Sequence, residues 1–373
     1  MTKRLSEDRD VAFICSSGLG WVATTQRWLR AQDLLGWNLC PYPVEPHAPN
    51  VGWLWRLGVT PWVTEAALAG RRAYQRALRE GHKRFFFLSQ SHSLLIPLPA
   101  RSSVATYGDS TWLQLSHMAG YGVAYDWGTE RLERRGMKRL RSSNALMFCM
   151  SEWYKQSVTE DFQIPACRCV DLPLMIDSSI WVPSGSRSPT HAGSPLRVLF
   201  VGGDFQRKGG DVLLEARLLL GPTAEFVFVT KNAADLPSGC ERYSRLPPDS
   251  PELLRVVQSC DVLALPTRGD TNSNVAIEAA LCGLPSIVSA VGAIPEVVVD
   301  GVTGTVVNGW DAAMWAATIS EYARDRELLK IRGVAAHARA IKVHSVEAHM
   351  SVLKQNLDEL WGCEKSMATA NRT

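Results

Sequence analysis

The sequence predicts an α/β protein built from two parallel-sheet halves. Three observations carry that expectation. Short apolar, β-branched runs recur along the chain with helical patterns between them, as strands joined by crossover helices would. A stretch rich in Pro, Gly and Ser, PSGSRSPTHAGSP from Pro183 to Pro195, interrupts this rhythm, which then restarts. The length, 373 residues, also exceeds the size at which one hydrophobic core usually keeps growing.

Taken in order, the strand-like runs of the first half are VAFIC near residue 11, RFFFLS near 84, SSVATY near 102, ALMFCM near 145 and RCVDLPL near 168. Those of the second half are RVLFVGG near 197, AEFVFVT near 224, DVLALPT near 261, PSIVSA near 285 and TGTVV near 303. DVLLEARLLL and VAIEAALCG are the clearest helices among the latter. Past residue 309 the pattern is helical to Leu360, and Glu364 to Thr373 reads as a frayed polar end. The expected organisation is a first domain over 1–182, a linker over 183–195, a second domain over 196–342 and a C-terminal helix over 343–363. That helix is apolar at Val346, Met350, Val352, Leu353, Leu357 and Leu360 and can pack on either half, the first being the expected one. Ten of the 13 tryptophans precede the linker, so the halves are not copies. Trp21 through Trp181 read as core and interdomain packing rather than ligand stacking.

Composition excludes several classes. Hydrophobic residues at 46% and charged ones at 21% are ordinary for a globular protein. A net charge of +3, from 40 basic and 37 acidic residues, is too balanced for a nucleic-acid binder. The nine cysteines are scattered, and Cys167 and Cys169 lack the spacing and second pair of a zinc site, so reduced thiols, no metal and a cytoplasmic location are expected. MTKRLSEDRD followed by the short run VAFIC is neither a signal peptide nor a spanning helix, and no stretch approaches the roughly 20 apolar residues a span requires.

Two segments carry chemistry. In GDTNSNVAIEAALCGLPSIV, from Gly269 to Val288, a buried-type strand ends at Pro266 and a helix starts near Ser273 or Asn274. Ligands of doubly wound sheets bind at the carboxyl ends of strands, where free amides at helix N-termini suit a phosphate. Thr271, Asn272, Ser273 and Asn274 are short and polar and leave that approach open. Glu278, one turn into the helix, is placed to accept from a ribose diol, and Asp270 faces whatever lies beyond the phosphate. The plainer reading makes Asp270 an N-cap and Glu278 a helix-face acid.

The second segment, FVGGDFQRKGGDVLLEA from Phe200 to Ala216, runs strand, glycine turn, basic pair, helix. Gly202 and Gly203 permit a tight turn and a close backbone approach. Arg207 and Lys208 stand at a helix N-terminus, where positive charge is unfavourable unless an anion compensates. Alone, such a dipeptide is an ordinary solvated loop. Together the two segments converge on a site for a nucleoside diphosphate carrying a polyol.

On these two segments, their order and their separation, the second half resembles the nucleotide-binding domain of the retaining glycosyltransferases of family 4, of the group 1 type. The likeness is continuous over about residues 196–325 and loose in the first half. It implies the GT-B fold, two Rossmann-like domains with parallel sheets facing across a cleft. By position, Lys208 matches the lysine that binds the donor diphosphate, with Arg207 as helper. Asp270 and Glu278 match paired acids eight positions apart, the second holding the ribose and the first near the donor sugar. Thr271 to Asn274 match the loop whose amides hold phosphate. Two departures stand out: the family often has an arginine where this chain has Gly203, and a glutamate where it has Asp270.

In the first half, the glycine loop SSGLG with Gly18 is read as lying over donor and acceptor. YGDSTW puts Asp109 at a strand's carboxyl edge, where many family members touch the donor sugar with a histidine; His92 in SQSHSLLIP is the competing candidate. GTERLERRGMKRLRSS, from Gly128 to Ser143, reads as a solvated helix packing Leu132, Met137 and Leu140 on the sheet. Docking on an anionic membrane surface or an acidic acceptor is the alternative. The resulting expectation is a metal-independent, retaining transfer of a sugar from a UDP- or GDP-type donor to a carbohydrate, lipid or small-molecule acceptor. A sugar-nucleotide epimerase of the same fold and a non-catalytic nucleotide-sugar binder are the rivals.

Overall fold

A computed structural model describes residues 9–16, 21–44, 60–98, 104–184, 194–231, 236–244 and 246–362. Gly18, most of the expected linker and the polar C-terminal end lie outside the described residues. The chain divides into two compact units. One comprises Met1–His117, Val123–Met175 and Val346–Thr373; the other comprises Met118–Gly122 and Ile176–Ser345.

The strands are β1 Asp10–Ser16, β2 Asn38–Val44, β3 Phe85–Leu88, β4 Val104–Gly108, β5 Leu146–Cys149 and β6 Cys169–Asp171, then β7 Leu196–Val201, β8 Ala224–Val229, β9 Glu241–Tyr243, β10 Val262–Leu265, β11 Ser286–Ser289 and β12 Gly304–Val307. The helices are α1 Trp21–Leu35, α2 Pro61–Arg79, α3 Trp112–Ser116, α4 Trp127–Ser142, α5 Glu152–Glu160, α6 Gly210–Leu220, α7 Pro251–Gln258, α8 Asn274–Leu281, α9 Ile294–Val297, α10 Ala312–Arg324, α11 Arg326–His344 and α12 Val346–Gly362.

The first unit holds a six-stranded parallel sheet in the order β2-β1-β3-β4-β5-β6. All four side chains of β3, Phe85 to Leu88, are buried, as expected for a parallel sheet covered on both faces. The sequence pattern omits β2, NLCPYPV, because Pro41 and Pro43 argue against a strand. Its edge position explains the tolerance: two residues apart, both prolines turn their missing N–H toward the side away from β1.

The helix α12 closes this unit. It packs on α1 and buries His349, Met350, Leu353, Leu357 and Trp361. Trp361 stands edge-on to Trp37 at 5.3 Å between ring centres, and Trp37 Nε1 donates to Asp358 at 2.9 Å. The basic segment forms α4, with Met137 and Leu140 buried, Leu132 half-buried, and Arg131, Arg134, Arg135 and Lys138 exposed beside a 62% exposed Trp127.

The second unit holds another six-stranded parallel sheet, ordered β9-β8-β7-β10-β11-β12. Strand order reverses between β7 and β10, so the carboxyl ends of those two strands flank the switch point where α/β sheets take their ligands. The short, charged edge strand β9 escaped the sequence pattern. Two segments join this unit from outside its expected span. Gly120 donates its N–H to Arg268 O at 3.1 Å, and the buried Trp181 donates Nε1–H to Asp249 at 3.1 Å.

Candidate functional site

The loop from β7 to α6, residues 202–209, and the loop from β10 to α8, residues 266–273, are stitched together at the switch point. Arg268 N donates to Arg207 O at 2.8 Å, and Arg207 Nη1 donates to Gly269 O at 2.5 Å. The Arg268 guanidinium grips Asp211, in the first turn of α6, through two 2.8 Å hydrogen bonds. Gly209 makes this approach feasible. It has φ +79°, and a Cβ there would stand 2.0 Å from Pro266 O, a position that only glycine fills without moving the second loop.

Lys208 and Asp270, 62 residues apart, form an ion pair through Nζ and Oδ2 with side chains 16% and 10% exposed. Arg207 is held by Asp204, whose carboxylate accepts from its amide at 3.1 Å and from Nε at 3.3 Å, and its guanidinium lies 5.2 Å from the centre of the Tyr121 ring. Asp270 is not the cap of α8. Ser273 is, its hydroxyl accepting from Ala276 N at 3.3 Å. The helix therefore carries its own neutral cap, and the acid is left to pair with the lysine.

Asn272 Oδ1 accepts from Ser273 N at 2.8 Å, and Thr271 O accepts from Ala293 N at 3.2 Å. Asn274 is half-buried at the first position of α8, and Glu278 is buried on the same helix. Gly202 donates its N–H to Val229 O at 2.9 Å, and Gly203 follows it. The second unit thus brings Gly202, Gly203, Arg207, Lys208, Asp270 to Asn274 and Glu278 onto two adjoining loops and the helix that follows.

Asp109 and His92 belong to the first unit. Asp109 follows β4, half-buried, and accepts from Ser110 Oγ at 3.4 Å. His92 lies in the turn after β3, 4% exposed, where burial pushes its imidazole down to about 4, so it is neutral at physiological pH. Its main chain packs on α2, since a Cβ on Gly70 would stand 2.1 Å from His92 O. Sequence reasoning missed Arg268, Asp211 and Tyr121, which hold the basic pair in place. The first stands between DVLALPT and GDTNSN, where an arginine facing an acid of α6 is a usable signal; Tyr121 has none.

Residues 195–325 match the family described as Glycosyl transferases group 1. The match lies within the second unit. Among curated proteins similar to this chain are the D-inositol 3-phosphate glycosyltransferase of Mycolicibacterium smegmatis, 36% identical over 193 residues, and that of Mycobacterium sp. strain KMS, 37% identical over 161. The matches cover 46% and 40% of this chain, and the chain spans 44% and 35% of those relatives' length. By structure, 95% of the chain superposes on the whole of sucrose-phosphate synthase from Thermosynechococcus elongatus, with TM-score 0.73 and 16% identity. Anabaena HepE, solved with UDP-glucose, gives TM-score 0.67 at 14% identity over 94% of this chain and 99% of HepE. WaaG, a glycosyltransferase involved in lipopolysaccharide biosynthesis, gives 0.68 at 14% identity over 94% and 99%. At such identities the likeness defines the fold, which is GT-B. Among the described residues, no helix is long and apolar enough to cross a membrane.

Proposed function

We propose that this protein transfers a sugar from a nucleoside diphosphate sugar, of UDP or GDP type, to an acceptor, with retention at the anomeric carbon and without a metal. The observation that carries the reading is the convergence of Lys208 and Arg207 with the N-terminus of α8 at the switch point of a sheet whose residues 195–325 match the group 1 glycosyl transferases. In that role Lys208 and the loop amides stabilise the negative charge that grows on the leaving diphosphate, a fixed electrostatic contribution made mostly in the transition state. Glu278 accepts from a ribose hydroxyl, and Asp270 orients the sugar once the diphosphate competes for Lys208. The HepE complex with UDP-glucose supports the donor class through the shared fold. The free thiols among the described cysteines support a cytoplasmic location.

Thermal-shift measurements with UDP, GDP, ADP and their sugars test the donor assignment. At least one should raise the melting temperature of the wild type by mass action. In Lys208→Ala the same nucleotide should bind about tenfold more weakly or worse, the loss expected for a charged hydrogen bond. Hydrolysis or transfer by the wild type should persist in EDTA, and a transferred sugar should keep its anomeric configuration by NMR. An unaltered nucleotide shift in Lys208→Ala would remove that residue from its role.

A further inference from the structure

The cations at the switch point are already matched by protein groups. Lys208 is paired with Asp270, Arg207 with Asp204 and the Gly269 carbonyl, and Arg268 with Asp211. A diphosphate arriving there must compete with Asp270 for Lys208, which offsets part of the attraction that this lysine supplies. Lys231 is different. It follows Thr230 just past the carboxyl end of β8, it is exposed, and it has no hydrogen bond or ion pair with any described residue.

Its stem is nevertheless placed. A Cβ built on Gly203 would stand 3.2 Å from Lys231 Cε, 3.7 Å from Cδ and 3.8 Å from Cγ. Three consecutive methylenes within contact of one backbone position mean that the stem runs along Gly203, and a side chain at 203 would displace it. The bed is continuous with the sheet: Val201 pairs with Val229, and Gly202 N–H donates to Val229 O at 2.9 Å. The ammonium is thereby delivered to the head of the loop that leads to Lys208 and α6.

We propose that Lys231 is a phosphate-binding residue of the donor site, reaching from β8 across Gly203 to supply the positive charge that the paired cations do not. The proposal rests on the nucleoside diphosphate reading above. It gives Gly203 a purpose, because the missing side chain at 203 is the space in which the lysine lies.

Isothermal titration of UDP, GDP and ADP into the wild type identifies the nucleotide that binds most tightly. Lys231→Met keeps the stem and removes the charge. It should weaken that nucleotide about tenfold, as for loss of a charged hydrogen bond, with the melting temperature of the unliganded protein unchanged. Binding should also depend less on salt, since one exposed charge has gone. Lys231→Arg should keep the affinity, and Gly203→Arg should restore it in a Lys231→Ala background, where the stem is cleared and the cation comes from the loop after β7. If the wild type binds a nucleotide and Lys231→Met binds it equally well with the same salt dependence, Lys231 has no part in the site and the donor reading stands without it. If the wild type binds none of the three, both readings fall together.

Discussion

Asp270 is the residue on which the chemistry and the unliganded structure pull in different directions. Its carboxylate neutralises Lys208 with both side chains largely out of water, where an opposite charge is screened far less than at the surface. A diphosphate must therefore compete with Asp270 for the ammonium. Asp270→Asn removes the competitor and keeps the side chain's size. We expect this variant to bind the nucleoside diphosphate at least as tightly as the wild type, while sugar transfer falls by ~100-fold or more because an oriented group at the sugar is lost. Titration calorimetry and initial rates separate the two. Weaker nucleotide binding in Asp270→Asn would place the acid on the nucleotide rather than on the sugar.

Helix α4 shows how one element's packing creates a titrating group. Glu133 lies on its inner face, 0% exposed, and accepts from the Trp112 amide at 2.8 Å at the start of α3. Burial pushes its carboxyl up to about 7, offset only in part by that amide. The folded-state value exceeds the ordinary one of about 4.5, so the contribution to stability is fully present below about pH 4.5 and is lost as pH rises through about 7. The whole change is about 3 kcal/mol, and Glu133→Gln should abolish it; urea unfolding of the first unit at pH 5 and 7.5, in both proteins, measures the difference. An equal pH dependence in the variant would assign the effect elsewhere. The sequence did not announce this acid, since ERLERRGMKRL reads as a solvated basic face. Strands were more legible: β1, β3, β7 and β10 are apolar runs because both sheet faces are covered, whereas β2 hides behind edge prolines and β9 is three charged or aromatic residues long. At the site, the spacing of Lys208, Asp270 and Glu278 was legible because helix N-termini have local signatures. The Arg207–Tyr121 and Arg268–Asp211 contacts were not, because they join residues far apart in sequence.

At the scale of the whole chain, the polypeptide leaves the first unit near Met175, builds the second, and returns at Val346. The first unit is thus completed by the last element. Each fully buried apolar side chain contributes roughly 1.5–3 kcal/mol, and α12 supplies Met350, Leu353, Leu357 and Trp361, all at or below 1% exposure. Their sum is comparable with the roughly 5–15 kcal/mol that holds a whole domain. His349 adds an edge contact to Trp28 at 5.2 Å and a 2.8 Å hydrogen bond to Pro173 O. None of these groups belongs to the second unit. A chain ending at Ser345 should therefore lose the calorimetric transition of the first unit and expose its sheet to protease. The second unit, with its switch-point loops complete, should still melt cooperatively and still be raised in melting temperature by the nucleotide that stabilises the full chain. Two intact transitions in the truncated chain would show that α12 is an accessory to the first sheet rather than part of its core.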